Sequence, residues 1–111
     1  MGEIPDLDLR KIRVFCEERT PPEFRDQMRV EAGVRGKSVT IFECRPPWHE
    51  EDTEWTRRPI GQLRFDPDTA LWTLFWADRN DRWHLYDLSK PGTVGMLLAE
   101  IELDPTCIFW G

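Results

Sequence analysis

One hundred and eleven residues, 40% hydrophobic with six tryptophans and six phenylalanines, make one domain that buries roughly two-thirds of its unfolded surface. The formal net charge of −6 falls wholly in residues 48–111, which carry six basic and twelve acidic side chains against nine and nine in residues 1–47. An acidic half argues against nucleic acid as a partner, since phosphate attraction dominates that affinity, and no apolar run approaches the ~20 residues of a membrane-spanning helix.

The opening residues MGEIPDLD are acidic and hold no apolar stretch of signal-peptide type. Asp6 stands where a myristoylation motif has Ser or Thr. Cys16, Cys44 and Cys107 are odd in number and far apart, with no CxxC spacing. Reduced thiols in a cytoplasmic protein are therefore expected rather than disulfides. Two histidines at no ligand spacing leave no metal site, and no cofactor is implied. Arginine outnumbers lysine twelve to three, and its planar fork favours paired, partly buried ion bridges.

In chain order, Asp6 is placed to cap a first helix over about Leu7–Arg19, with Leu9, Ile12, Phe15 and Cys16 forming one apolar face. Thr20-Pro21-Pro22 ends it. Met28, Val30, Ala32 and Val34 alternate with polar residues and predict a strand. Gly36-Lys37 makes a tight turn into a second strand, Ser38–Arg45. A third is predicted from about Ile60 to Phe65, a fourth from Leu71 to Ala77 and a fifth from Trp83 to Asp87. Turns at Asp66-Pro67-Asp68 and Arg79-Asn80-Asp81 separate these three. Pro91-Gly92 precedes a second helix to Leu103, with Val94, Leu97, Leu98 and Ile101 on one side, and Asp104-Pro105 ends it. Short connections force antiparallel neighbours. The expectation is an α+β fold over residues 1–111: a five-stranded antiparallel meander sheet with an N-terminal and a C-terminal helix packed on one face. The other sheet face is then open to solvent or covered by the long loop Pro46–Arg58.

Two constellations attract attention. If Gly36-Lys37 is a two-residue turn, Val30 faces Glu43, so an ionisable group stands at the end of an apolar row beside Arg45. Such a charge is costly unless paired. It is either a pocket carboxylate or one half of a structural ion bridge. In the last hairpin, Trp76 falls opposite His84, Leu74 opposite Tyr86 and Asp78 opposite Arg82. One face then shows Trp72, Trp76, His84 and Tyr86. These rings suit a planar or cationic ligand or a partner's side chains. They also suit a small core beneath the loop, packed by Trp48 or Trp55. The acidic tract His49-Glu50-Glu51-Asp52 reads as a solvated loop. The closing aromatics Phe109 and Trp110 are expected to fold back beside the sheet.

The blocks RPPW (Arg45–Trp48), EWTR (Glu54–Arg57), WTLFWADRN (Trp72–Asn80), WHLYD (Trp83–Asp87) and DPTCIFWG (Asp104–Gly111) resemble a family of small bacterial proteins, the domain-of-unknown-function family 3024. The resemblance spans nearly the whole chain and implies a stand-alone bacterial domain. It brings no reaction, cofactor or assigned residue.

The leading functional reading is a non-catalytic binding module for a small molecule or a protein partner. Its ligand-binding candidates are Glu43, Arg45, Trp48, Trp72, Trp76, Asp78, Arg82, His84 and Tyr86. The alternative is a small hydrolase or nuclease using Glu43, Asp78 and His84, which requires all three to reach one cavity. A third reading, single-stranded nucleic-acid binding on the aromatic sheet, is opposed by the acidic balance.

Overall fold

Alternating apolar and polar residues separated by turns of two (36–37), four (67–70) and five (78–82) residues, with one longer connection at 46–55, fold each strand back on its predecessor. A computed structural model describes residues 3–47 and 53–110. The elements are α1 (Asp6–Glu18), a 3₁₀ turn (Pro22–Phe24), β1 (Arg29–Arg35), β2 (Ser38–Arg45), β3 (Thr56–Asp66), β4 (Leu71–Ala77), β5 (Trp83–Leu85) and α2 (Val94–Leu103). The strands form a sheet in the order β1-β2-β3-β4-β5, every pair antiparallel. This is the expected α+β meander. Ile12, Phe15 and Cys16 of α1 and Leu97, Leu98 and Ile101 of α2 share one core cluster with Val39, Ile41, Leu63 and Leu74. Both helices therefore lie on the same sheet face.

Local chemistry accounts for the turns. Gly36 takes φ +60° between the paired residues Arg35 and Ser38, a conformation that costs glycine least. In the β3–β4 turn the Asp66 carboxylate accepts the Asp68 N–H at 2.9 Å, and Asp66 C=O accepts from Ala70 at 2.7 Å. Asp78 does the same in the last hairpin, its Oδ1 accepting the N–H groups of Asn80 and Arg82 at 2.8 and 3.1 Å.

Strand β5 ends at Leu85, two residues short of the expected Asp87, and two element starts also differ from the sequence expectation. Helix α1 begins at Asp6, preceded by Pro5 with no side-chain cap, so Asp6 sits in the first turn. There its charge favours the helix N-terminus. Strand β3 starts at Thr56, four residues earlier than expected, and pairs with β2 as far as Arg45↔Thr56. Pro59 and the run Thr56-Arg57-Arg58 hide this strand, because a proline in a central strand ordinarily breaks the ladder. Here the register shifts between Ile41 and Phe42: Ile41 pairs with Gly61 and Phe42 with Pro59. Ile60 is the extra residue of a bulge, where proline is tolerated.

Two polar ties hold the layers. Thr20, only 7% exposed, donates its hydroxyl to Cys16 C=O at 3.1 Å and accepts the Val30 N–H at 2.8 Å. The end of α1 is thereby fastened to the start of β1. At the other end of the chain, Asp104 closes α2 in a left-handed conformation (φ +43°). Its carboxylate accepts the N–H groups of Phe109 and Trp110 at 3.0 and 2.8 Å. Phe109 is then 1% exposed against Tyr86, with ring centroids 5.0 Å apart.

Trp72 is fully buried in the middle of this layer. Trp72→Ala is expected to cost about 3–5 kcal/mol, read as a lower urea midpoint at unchanged slope. A change near zero contradicts its place in the core.

Candidate functional site

The register of the last hairpin follows its turn: Trp76 pairs with His84, and Tyr86 N–H donates to Leu74 C=O at 2.9 Å. The face that carries these rings is nevertheless the one the helices cover. Trp72 is 0% and Tyr86 2% exposed, both in the core cluster. Neither can meet a ligand, which corrects the expectation for these two residues. The covering layer is α1, α2 and the Phe109–Trp110 segment. The buried Tyr86 hydroxyl donates to Glu100 at 2.6 Å. Burial first, then this bond to a carboxylate, pushes its ionisation up to about 12.

At the rim of the same face, Trp76 and His84 are stacked, centroids 4.6 Å apart at 27°. His84 Nε2 lies 2.7 Å from Asp78 Oδ2. Hydrogen bonds from the His84 ring, then from the Arg82 and Asn80 N–H groups, hold the Asp78 carboxyl down at about 2. Every oxygen of Asp78 is engaged, the backbone C=O accepting the Asp81 N–H at 2.9 Å. Arg82 is exposed and closes the turn through its backbone.

Glu43 stands at the end of β2 with its side chain 16% exposed, 3.1 Å from Arg45 Nε and 3.6 Å from Arg58. It lines a cleft of about 260 Å³ with Arg19, Met28, Val30 and Trp110. Neither Asp78 nor His84 belongs to that cleft. Glu43 on β2 and His84 on β5 are three strand spacings apart, roughly 14 Å. The three residues of the hydrolytic alternative are thus not brought together. Trp48 lies outside the described residues. Among those that are described, no group of three or more His, Cys, Asp or Glu side chains could hold a metal ion.

The opposite sheet face carries the arrangement that sequence reasoning missed. By register, Arg29, Glu31, Gly33 and Arg35 of β1 share it with Thr40, Phe42 and Cys44 of β2, Gln62 and Arg64 of β3, Phe75 of β4 and Trp83 and Leu85 of β5. Three guanidinium groups sit over rings there. Arg29 covers Trp55 at 4.1 Å, Arg57 covers Phe42 at 4.0 Å and Arg64 covers Phe75 at 3.8 Å. Arg64 Nε donates to Gln62 at 2.7 Å, and Gln62 donates to Thr40 at 2.9 Å. Among the described residues no helix crosses this face; Phe42, Phe75 and Trp83 are half-buried, and Leu85 is 55% exposed. The available signal was the spacing of arginines against Phe42 and Phe75, but the β2–β3 register needed to align them is not legible from local pattern.

A family model described as Domain of unknown function (DUF3024) matches residues 1–111. The chain belongs to this family. No curated protein matches it, and no solved structure does. For this DUF3024 chain, the geometry of the two sheet faces is therefore the ground on which a function is argued. No helix in the described residues is long and apolar enough to cross a membrane.

Two titrations check this geometry. Tyr86 is the one tyrosine of the chain. Its phenolate absorbance is expected near pH 12 in the folded protein and near 10 in denaturant, because its folded value lies above the ordinary 10.0. Its contribution to stability is complete below pH 10 and fades as pH rises to 12. For Asp78 the sign is opposite: its folded value lies below 3.8, so its contribution is present above that pH and fades as pH falls toward 2. A carboxyl carbon titrating near 2 by NMR supports the His84 contact, and one near the ordinary 3.8 removes it.

Proposed function

We infer that this domain is a non-catalytic binding module whose contact surface is the uncovered sheet face together with Trp55 of the long loop. The carrying observation is the set of three arginine–ring stacks on a face that no described helix covers. A ring sealed by a guanidinium keeps its apolar body out of water while presenting a flat cation outward. The reading supplies a physical role for arginine over lysine, since only a planar delocalised cation stacks in this way. The three cysteines are all free, Cys16 and Cys44 buried and Cys107 exposed, which supports a reducing compartment such as the cytoplasm. The hydrolytic alternative has no supporting geometry, because Glu43 is held by two arginines away from Asp78 and His84.

The test is a thermal-shift screen of metabolites, peptides and oligonucleotides on the wild type and on Arg57→Glu/Arg64→Glu, with circular dichroism confirming that both are folded. A ligand at 100 times its dissociation constant stabilises the folded state by about 2.7 kcal/mol. The expected outcome is a ligand that raises the wild-type Tm and leaves the variant's unchanged. Ligands that shift both equally place the site elsewhere.

A further inference from the structure

We propose that the uncovered face binds single-stranded nucleic acid, with bases stacked on the ring–guanidinium platforms and phosphates held by the arginines. This rests on the binding-face reading and names its ligand.

Local charge favours a polyanion. The strand residues of this face include four arginines, Arg29, Arg35, Arg57 and Arg64, against two acids, Glu31 and Asp66. The face is net positive on a chain of net charge −6. Association responds to the local field of the docking surface rather than to the whole-chain sum. The expectation drawn from composition, that nucleic acid is disfavoured, divided the charge between halves of the chain rather than between faces of the sheet. Glu31 accepts the Cys44 thiol at 3.7 Å beside Arg57, and Asp66 caps the β3–β4 turn at the far end of its strand.

Spacing favours a single strand. The platforms run diagonally over the sheet, from Arg29–Trp55 through Arg57–Phe42 to Arg64–Phe75, with Trp83 beyond on β5. Phe42 and Phe75 stand on β2 and β4 with β3 between them and are offset by two residues along the strands, so their backbones are roughly 12 Å apart. Bases of a duplex strand rise ~3.4 Å each, so only an unstacked strand can place successive bases on separate platforms. Thr40 and Gln62 lie between the two rings and offer hydrogen-bonding groups to base edges. Gly33 makes room for the Arg57–Phe42 platform: a Cβ there would stand 3.2 Å from the Phe42 ring and 3.6 Å from Arg57.

An acidic peptide would satisfy the arginines but leave Trp83 and Leu85 without partners. A polyanion that also carries planar rings matches both features of the face.

The experiment is fluorescence anisotropy of the full chain with labelled oligo-dT and oligo-U, a duplex of the same length and an oligoglutamate peptide. Saturable binding of the single strands is expected, weakening with salt. Phe75→Leu keeps apolar volume but removes the ring face, and should weaken binding about tenfold, as should Phe42→Leu. Neutralising Arg57 or Arg64 with glutamine should reduce the log–log salt slope by about 0.7 for each phosphate that the arginine had paired. Arg10→Glu, on α1 and away from this face, should leave affinity unchanged. No single-strand binding by the folded wild type, equal affinity for the duplex, equal affinity for oligoglutamate, or an Arg10→Glu effect as large as that at Arg64 each overturns the proposal. If oligonucleotides fail while another ligand gives a Tm shift that Arg57→Glu/Arg64→Glu abolishes, the nucleic-acid assignment falls and the binding face stands. If no ligand depends on these arginines, both fall.

Discussion

The indole of Trp72 is where the layers of this fold meet. Its Nε1 donates to Asp8 in the first turn of α1 at 2.8 Å, across 64 residues of sequence. Its backbone exchanges two hydrogen bonds with Gly92, at 2.8 and 3.0 Å, just before α2. Its ring lies 5.1 Å from Phe65 of β3. One residue of β4 thus fixes the entry of both helices relative to the sheet. A buried indole N–H without an acceptor is costly, so the position of α1 is tied to a polar contact as well as to area. The consequence is that one sheet face is committed to structure, with only the Trp76–His84 rim of the last hairpin left partly exposed.

Among the described residues no third layer covers the other face. Its apolar side chains are partly sealed by arginines, whose aliphatic stems and flat heads cover rings while the charge stays hydrated. The two faces therefore have different chemistry from strands of the same composition. Aliphatic residues with Phe65, Trp72 and Tyr86 face the helices, while rings under guanidinium groups lie on the other side. The acids that dominate the net charge lie on helices and turns as well as at strand ends, which leaves the middle of the uncovered face positive.

Strand order, hairpin registers and both helices were legible because each depends on short-range features. Gly36 sets the first hairpin, Asp78 to Arg82 set the last, and three-to-four spacing marks the helices. The start of β3 was not legible, since Pro59 and the bulge break the two-residue alternation there. Nor was the choice of covered face. Strand β4 offers Trp72, Leu74 and Trp76 on one side and Leu71, Thr73 and Phe75 on the other, and local pattern does not weigh them. The candidate residues Trp72 and Tyr86 were drawn by their rings, which in the fold belong to the core. Glu43 and Arg45 were placed together correctly at a strand end, but Arg58, the second partner of Glu43, depended on the hidden part of β3.

The bulge at Ile60 has a phase effect on everything beyond it. Residues seven apart in an unbroken strand point to opposite sides of a sheet, so Arg57 and Arg64 would be divided between the two faces. One inserted residue restores them to the same side, and it also lets Ile60 and Leu63, three apart, both enter the core. The strand thus carries two periodic patterns joined out of step, and each is in register with its neighbours only because of the join. Removing that single residue would leave composition and length nearly unchanged while turning one half of β3 inside out relative to the other. Within this lineage, insertions and deletions in β3 should accordingly be far scarcer than substitutions at its solvent-facing positions.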